Sequence, residues 1–248
     1  MEKVLLGDNQ FFAVNHLSDE RSRAQAIRFK DDQSIIRVID QAIELGINTF
    51  MCTTHDRIAN ICQHIREHPD KYRGFNIFPC MPYAHKYANA VTELGIIGTV
   101  KQYVPGNIFS TFTKGGLAYV SKDFIKLMEI FIDAEMKMFK GINTPVIFIQ
   151  NVVVDLILGL KMFDVFKHYD NYIRKKYNAE PGYITMNLPA ANTCIATGRN
   201  FFSFRYFSLI SLPPDILNPI LLIEAQIIGF STPTEFRASS NAGKFIVI

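Results

Sequence analysis

The sequence predicts an α/β fold: a single TIM (β/α)8-type barrel over residues 1–248, irregular or incomplete in its C-terminal quarter. Three observations carry this expectation. Short apolar runs alternate with helical patterns through most of the chain, as in a parallel sheet joined by crossover helices. The 248 residues match one barrel of about 250 residues better than two compact domains. No Gly-x-Gly-x-x-Gly turn follows the first strand, which counts against an open dinucleotide-binding sheet.

The elements follow in order. Residues 4–6 form a short apolar strand stopped by Gly7. The long connection to about Asp32 contains a polar helix over 18–29, with Ser18 as its N-cap. Ile35, Ile36, Val38, Ile39, Ala42, Ile43 and Leu45 recur at helical spacing, and Gly46 supplies the stop. Residues 47–51 are the second strand. A helix over 56–67 places Ile58, Ile61, Cys62 and Ile65 on one face, and Pro69 closes it. The third strand covers 75–78, followed by a helix over 85–94 and a fourth strand over 96–104. Ser121 caps a helix that runs to Phe139 and ends at Gly141. The fully apolar residues 145–149 read as a buried parallel strand. One helix is expected over 155–177, and a sixth strand over 182–186. Beyond Asn192 charge thins, and strands are expected at 220–223, 227–230 and 245–247.

Composition narrows the function classes. Hydrophobic residues make up 48% of the chain, enough for a large core, and the net charge of +3 comes without the basic block a nucleic-acid groove needs. Cys52, Cys62, Cys80 and Cys194 form no Cys-x-x-Cys pair, so a reduced, cytoplasmic chain is expected. The N-terminus has no secretory signal pattern. The most apolar late run, 216–230, contains Pro219 and Glu224 and is too short to span a bilayer. No nucleic-acid or membrane partner is therefore expected, and the aromatic stretch 201–207 is the candidate protein contact.

In a barrel, side chains at the carboxyl ends of the strands converge on one face. The segment Cys52-Thr53-Thr54-His55-Asp56-Arg57 places thiol, hydroxyl, imidazole, carboxylate and guanidinium groups there at once. The first strand end adds Asp8, Asn9 and Gln10, the third Cys80, Tyr83, His85 and Lys86, and later ends Gln150, Asn151 and Asn187. His55, Tyr83, His85 and Lys86 are the candidate catalytic groups, because tuned imidazole, phenol and ammonium groups move protons near neutral pH. Asp8, Asn9, Gln10, Cys52, Thr54, Gln150, Asn151 and Asn187 are the candidate substrate contacts.

Each has a plainer alternative. Asp56 opens a helix and can serve as a cap; His55 can be a solvated turn residue. Cys52 can be a small buried hydrophobe, and His85 with Lys86 can simply start a helix. Cys52, His55, Cys80 and His85 lack a specific zinc spacing, so no metal is expected. Gly229, Ser231, Thr232 and Arg237 suit a phosphate, or an ordinary Ser/Thr turn. His-Glu-x-x-His, Walker A and Gly-x-Ser-x-Gly motifs are absent.

The opening LLGDNQFF and the run IIRVIDQAIELGINTFMCTTHDRIANIC resemble the start of an aldo-keto reductase barrel. Ala42-Ile43-Glu44-Leu45-Gly46-Ile47-Asn48 matches that family's A-x-x-x-G-I-N run. Ile227-Ile228-Gly229-Phe230-Ser231-Thr232-Pro233 is similar to its last strand, whose loop holds a dinucleotide phosphate. The resemblance implies NADP and carbonyl reduction of a small oxygenated metabolite, phosphorylated or not. Where the family has Asp-Thr-Ala and then a catalytic tyrosine, this chain reads Met51-Cys52-Thr53-Thr54-His55, and no lysine closes the third strand in the family manner. Two other readings stay open: a lyase or aldolase using Lys86 or a Cys/His-bound metal, and a non-catalytic binding or assembly barrel.

Overall fold

Among the residues described by the computed structural model (4–14, 18–83, 120–187, 190–191, 206–209 and 245–247), the apolar runs become parallel strands. β1 (Val4–Gly7), β2 (Thr49–Thr53), β3 (Asn76–Met81), β4 (Val146–Ile149) and β5 (Glu180–Ile184) pair in chain order, which makes this a mixed α/β protein on a parallel sheet. Two short strands, β6 (Tyr206–Leu209) and β7 (Phe245–Val247), continue the order, and β7 pairs back onto β1. The described strands thus close a ring.

β3 lies directly against β4, with Cys80 opposite Phe148. β6 likewise lies directly against β7, with Phe207 opposite Phe245. The helix expected over 85–94 and the strands expected at 96–104, 220–223 and 227–230 fall outside the described residues. Of the aromatic stretch 201–207, Tyr206 and Phe207 belong to β6, a strand paired on both edges, while 201–205 lie outside the described residues.

Helices form where caps and apolar stripes agree. α1 (Asp19–Arg28) starts at Ser18, whose hydroxyl accepts from Arg21 N at 3.3 Å, and it buries none of its residues. α2 (Asp32–Glu44) is capped by Asp31, which accepts from Ser34 N at 2.8 Å; it buries Ile35, Ile36, Ile39 and Ala42. Gly46 at φ +82° reverses the chain after it, a conformation that side-chain-bearing residues rarely adopt. α3 (Asp56–Glu67) buries Ile58, Ile61, Cys62 and Ile65 as expected. α4 (Val120–Met136) ends in a 3-10 turn over Lys137–Phe139.

The single helix expected over 155–177 is two. α5 (Asn151–Gly159) follows β4 at once, and α6 (Asp164–Tyr177) starts after a break at Lys161, which is left-handed at φ 56°. The break closes locally, with Met162 N donating to Ile157 O at 3.0 Å. Both halves carry an apolar stripe, so periodicity alone did not reveal the change of direction.

Alternation along the strands separates two cores. Leu5, Met51, Phe78, Cys80, Val146, Phe148 and Ile184 face the interior of the ring. Leu6, Phe50, Cys52, Ile77, Met81, Ile147, Ile149 and Tyr183 face the helices, against Ile39, Ile58, Ile132, Ile157, Phe166 and Ile173 among others. Burying each large apolar side chain is worth about 1.5–3 kcal/mol, which makes these two layers the main stabilising term. The interior is tight at one point. A Cβ on Gly182 would sit 2.3–2.7 Å from three atoms of the Phe148 ring, its partner across the ladder.

Outside the apolar layers, α4 and α6 are fastened by a polar seam. Asp133 accepts from Tyr172, Tyr177 and Lys176, and His168 Nε2 meets Glu129 Oε1 at 2.6 Å. Burial pushes the Asp133 carboxyl up, but these donors outweigh it and hold the group below the usual carboxylate range. Among the described residues no helix is long and apolar enough to cross a membrane.

Gly182→Ala is expected to lower stability by about 1–3 kcal/mol or more, because Phe148 must leave its rotamer to admit the methyl group. Urea unfolding followed by circular dichroism measures this. A wild-type midpoint would contradict the interior packing given above.

Candidate functional site

The carboxyl ends of β1, β2 and β3 assemble a polar group around one buried carboxylate. Gly7 ends β1, and Asp8 enters a 3-10 turn over Asn9–Phe12, with Phe11 N donating to Asp8 O at 2.9 Å. The turn drives Phe11 into the core against Phe29 and Phe50 at 4.9 and 5.9 Å between ring centroids. Asp8 is thereby buried at the end of the strand. Its Oδ2 accepts from both the backbone N and the hydroxyl of Thr53, each at 2.7 Å.

His55 lies next to this pair. It is the N-cap of α3, and its Nδ1 accepts from Arg57 N at 3.2 Å. The imidazole, rather than the Asp56 carboxylate, thus takes the capping role, and Asp56 is an exposed first-turn residue. Using the Nδ1 lone pair as an acceptor places the ring proton on Nε2. Phe12 stacks on the imidazole at 4.0 Å and 14°, and the Tyr83 ring lies 6.1 Å away on the other strand end.

Burial dominates the electrostatics. It pushes the Asp8 carboxyl above its ordinary range, against the opposing pull of the two Thr53 hydrogen bonds. Burial, followed by the charges of Asp8 and Asp56, raises the Tyr83 phenol as well. The Cys52 and Cys80 thiols are pushed far up, by burial first and then by Asp8, so both stay protonated and unreactive as nucleophiles.

The expected site residues separate accordingly. Asp8, His55 and Tyr83 come together. Asn9 and Gln10 are half-buried in the adjoining turn, where Gln10 Nε2 donates to Gly7 O at 3.4 Å. Gln150 and Asn151 are half-buried at the end of β4, and Gln150 N donates to Met81 O at 3.1 Å. Cys52 and Thr54 do not join the group, because both are fully buried and turn toward the helices. Cys52 packs in the outer apolar layer, and Thr54 donates to Glu135 Oε2 at 2.8 Å. Asn187 is exposed and accepts from Ala190 N at 3.1 Å, a turn-closing contact. His85, Lys86, Gly229, Ser231, Thr232 and Arg237 lie outside the described residues.

Two participants were missed from sequence. Thr53 was passed over between its neighbours, although alternation with Met51 marks it as interior-facing. Glu135 sits seven residues after Met128 and three after Ile132, on the apolar stripe of α4; a carboxylate there is the signal that was available. Among the described residues no three His, Cys, Asp or Glu side chains are grouped to hold a metal ion. Compared with known proteins, the chain matches no family model, no curated protein and no solved structure.

Asp8 binds its proton more tightly in the folded than in the unfolded chain. Stability is therefore lost as pH rises from the ordinary value of 3.8 through the raised folded value, and the loss persists at neutral pH. Asp8→Asn is expected to unfold at a higher temperature than wild type at pH 7, with the gap narrowing toward pH 4. Thermal melts across this range measure it, and a destabilised Asn variant at pH 7 would contradict the burial argument.

Proposed function

We propose that the chain is an enzyme of the TIM (β/α)8-barrel type with an irregular ring, acting in the cytoplasm on a small oxygenated metabolite. The reaction proposed is NADPH-linked carbonyl reduction. The observation that carries this reading is the meeting of Asp8, His55 and Tyr83 at adjacent carboxyl ends of parallel strands, the face on which such sheets hold their chemistry.

The roles follow from the protonation states. The raised Tyr83 phenol is neutral through the physiological range, which suits it to give a proton to a carbonyl oxygen. His55, protonated at Nε2 and steadied by Phe12 and by its cap bond, is the neighbour that orients the substrate or resupplies that proton. Asp8, at the end of β1 on the far side of β2, adds through its charge to the effect of burial on the phenol and fixes Thr53. A bound nicotinamide dinucleotide would supply the hydride to the carbonyl carbon, giving an alcohol and the oxidised cofactor. Tyr83 and His55 are proposed to flank its reacting end, and Gly229, Ser231, Thr232 and Arg237 to hold its phosphate.

Tyr83→Phe is expected to lower kcat for NADPH oxidation with small aldehydes by about 10²–10⁴-fold, with fold retained by circular dichroism. Absence of NADPH binding to the wild-type protein, or a covalent adduct at Lys86 after borohydride trapping with substrate, would overturn the reading. Because Tyr83 acts in its protonated form and its pKa is raised, the alkaline fall of kcat is expected above pH 10, the ordinary tyrosine value. A pH–rate profile falling well below that value would exclude Tyr83 as the donor.

A further inference from the structure

We infer that Glu135, a buried carboxylate on α4, is the positioning residue that sets His55 against Tyr83. The inference rests on the reading of those two side chains as the proton-transfer pair. Glu135 lies beneath the ends of β2 and β3 on the helix side of the sheet and is 5% exposed. Its Oε2 accepts from the hydroxyl of Thr54, the residue immediately before His55, at 2.8 Å. Both of its oxygens accept from the backbone N of Tyr83, at 3.1 and 3.2 Å. One side chain therefore grips the loop after β2 and the loop after β3 at the two points where the proton-transfer side chains leave the backbone.

Burying a carboxylate in an apolar layer is unfavourable unless donors answer it. Here the donors come from the two loops, so the charge and the loop geometry are mutually dependent. The neighbours of Glu135 on its helix, Ile132 and Met136, are core residues, and an apolar residue would complete their stripe. The carboxylate departs from that stripe where it faces the loops. In these contacts Glu135 holds a hydroxyl and a backbone N–H beside the reacting side chains, so its role is one of positioning. A misplacement of about 1 Å in such a pair is enough for a loss on the order of 10²-fold.

The test compares wild type with Glu135→Gln, Glu135→Ala and Thr54→Val, by NMR of the histidine ring nitrogens and by kcat and KM for NADPH with small aldehydes. The expected result is that Glu135→Ala loses the Nε2–H tautomer signature of His55 and its cross-relaxation with the Tyr83 ring. Glu135→Gln, which keeps an acceptor, is expected to restore both in part, and kcat is expected to follow them with KM little changed. A folded Glu135→Ala variant with wild-type His55 signals and cross-relaxation overturns the inference. If the alanine variant does not fold, Thr54→Val decides, because it removes one contact and leaves the carboxylate: altered His55 signals support the inference, and unaltered ones overturn it. Wild type that oxidises no NADPH sinks the proposed reaction, while the NMR comparison still decides the role of Glu135.

Discussion

Successive side chains of a strand leave opposite faces of the sheet, and in a closed ring one face is sealed while the other meets the helices. At β2 this alternation organises the rest of the site. Met51 goes to the interior packing, and Thr53 follows it to reach Asp8 from the next strand. Cys52 and Thr54 go outward, one to the apolar layer and one to Glu135. The end of β2 is consequently held from both sides, by a carboxylate on β1's turn and a carboxylate on α4.

Those two carboxylates do different things with the same low-dielectric surroundings. Asp8 is answered by a single residue, Thr53, so burial wins and its proton affinity rises. Burial first, and then the Asp8 charge, makes Tyr83, Cys52 and Cys80 weaker acids as well. The result is a group of strand ends in which the thiols and the phenol all keep their protons near neutral pH. Glu135 instead collects donors from two separate loops, and its effect is to tie strand ends together.

Much of the local structure was legible. Ser18 caps α1 as its hydroxyl and position suggest, and Gly46 and Gly141 adopt the positive φ expected of helix stops. The stripe of Ile58, Ile61, Cys62 and Ile65 is the buried face of α3. These signals succeed because caps, stops and stripes are set by neighbours within one or two helical turns. The failures share the opposite property. Whether residues 155–177 form one helix or two depends on a left-handed turn at Lys161, and the available signal, Gly159 two positions earlier, sits inside an otherwise continuous apolar pattern. Whether β3 meets β4 depends on partners about seventy positions apart in the chain.

Read alone, the residues already carry the α/β class, the parallel strands, and the strand ends as the place where polar side chains gather. They also supply Asp8, His55 and Tyr83 as members of one neighbourhood. Which way each strand residue faces emerges with the folded ring, which exchanges Cys52 and Thr54 for Thr53 at the mouth. It alone brought Glu135 from a distant helix beneath two loops, and gave the α3 cap to His55 rather than Asp56. The reason is physical: periodicity constrains which residues share a face, while which face is sealed and which charge it encloses depends on strands and helices that meet only when the ring closes.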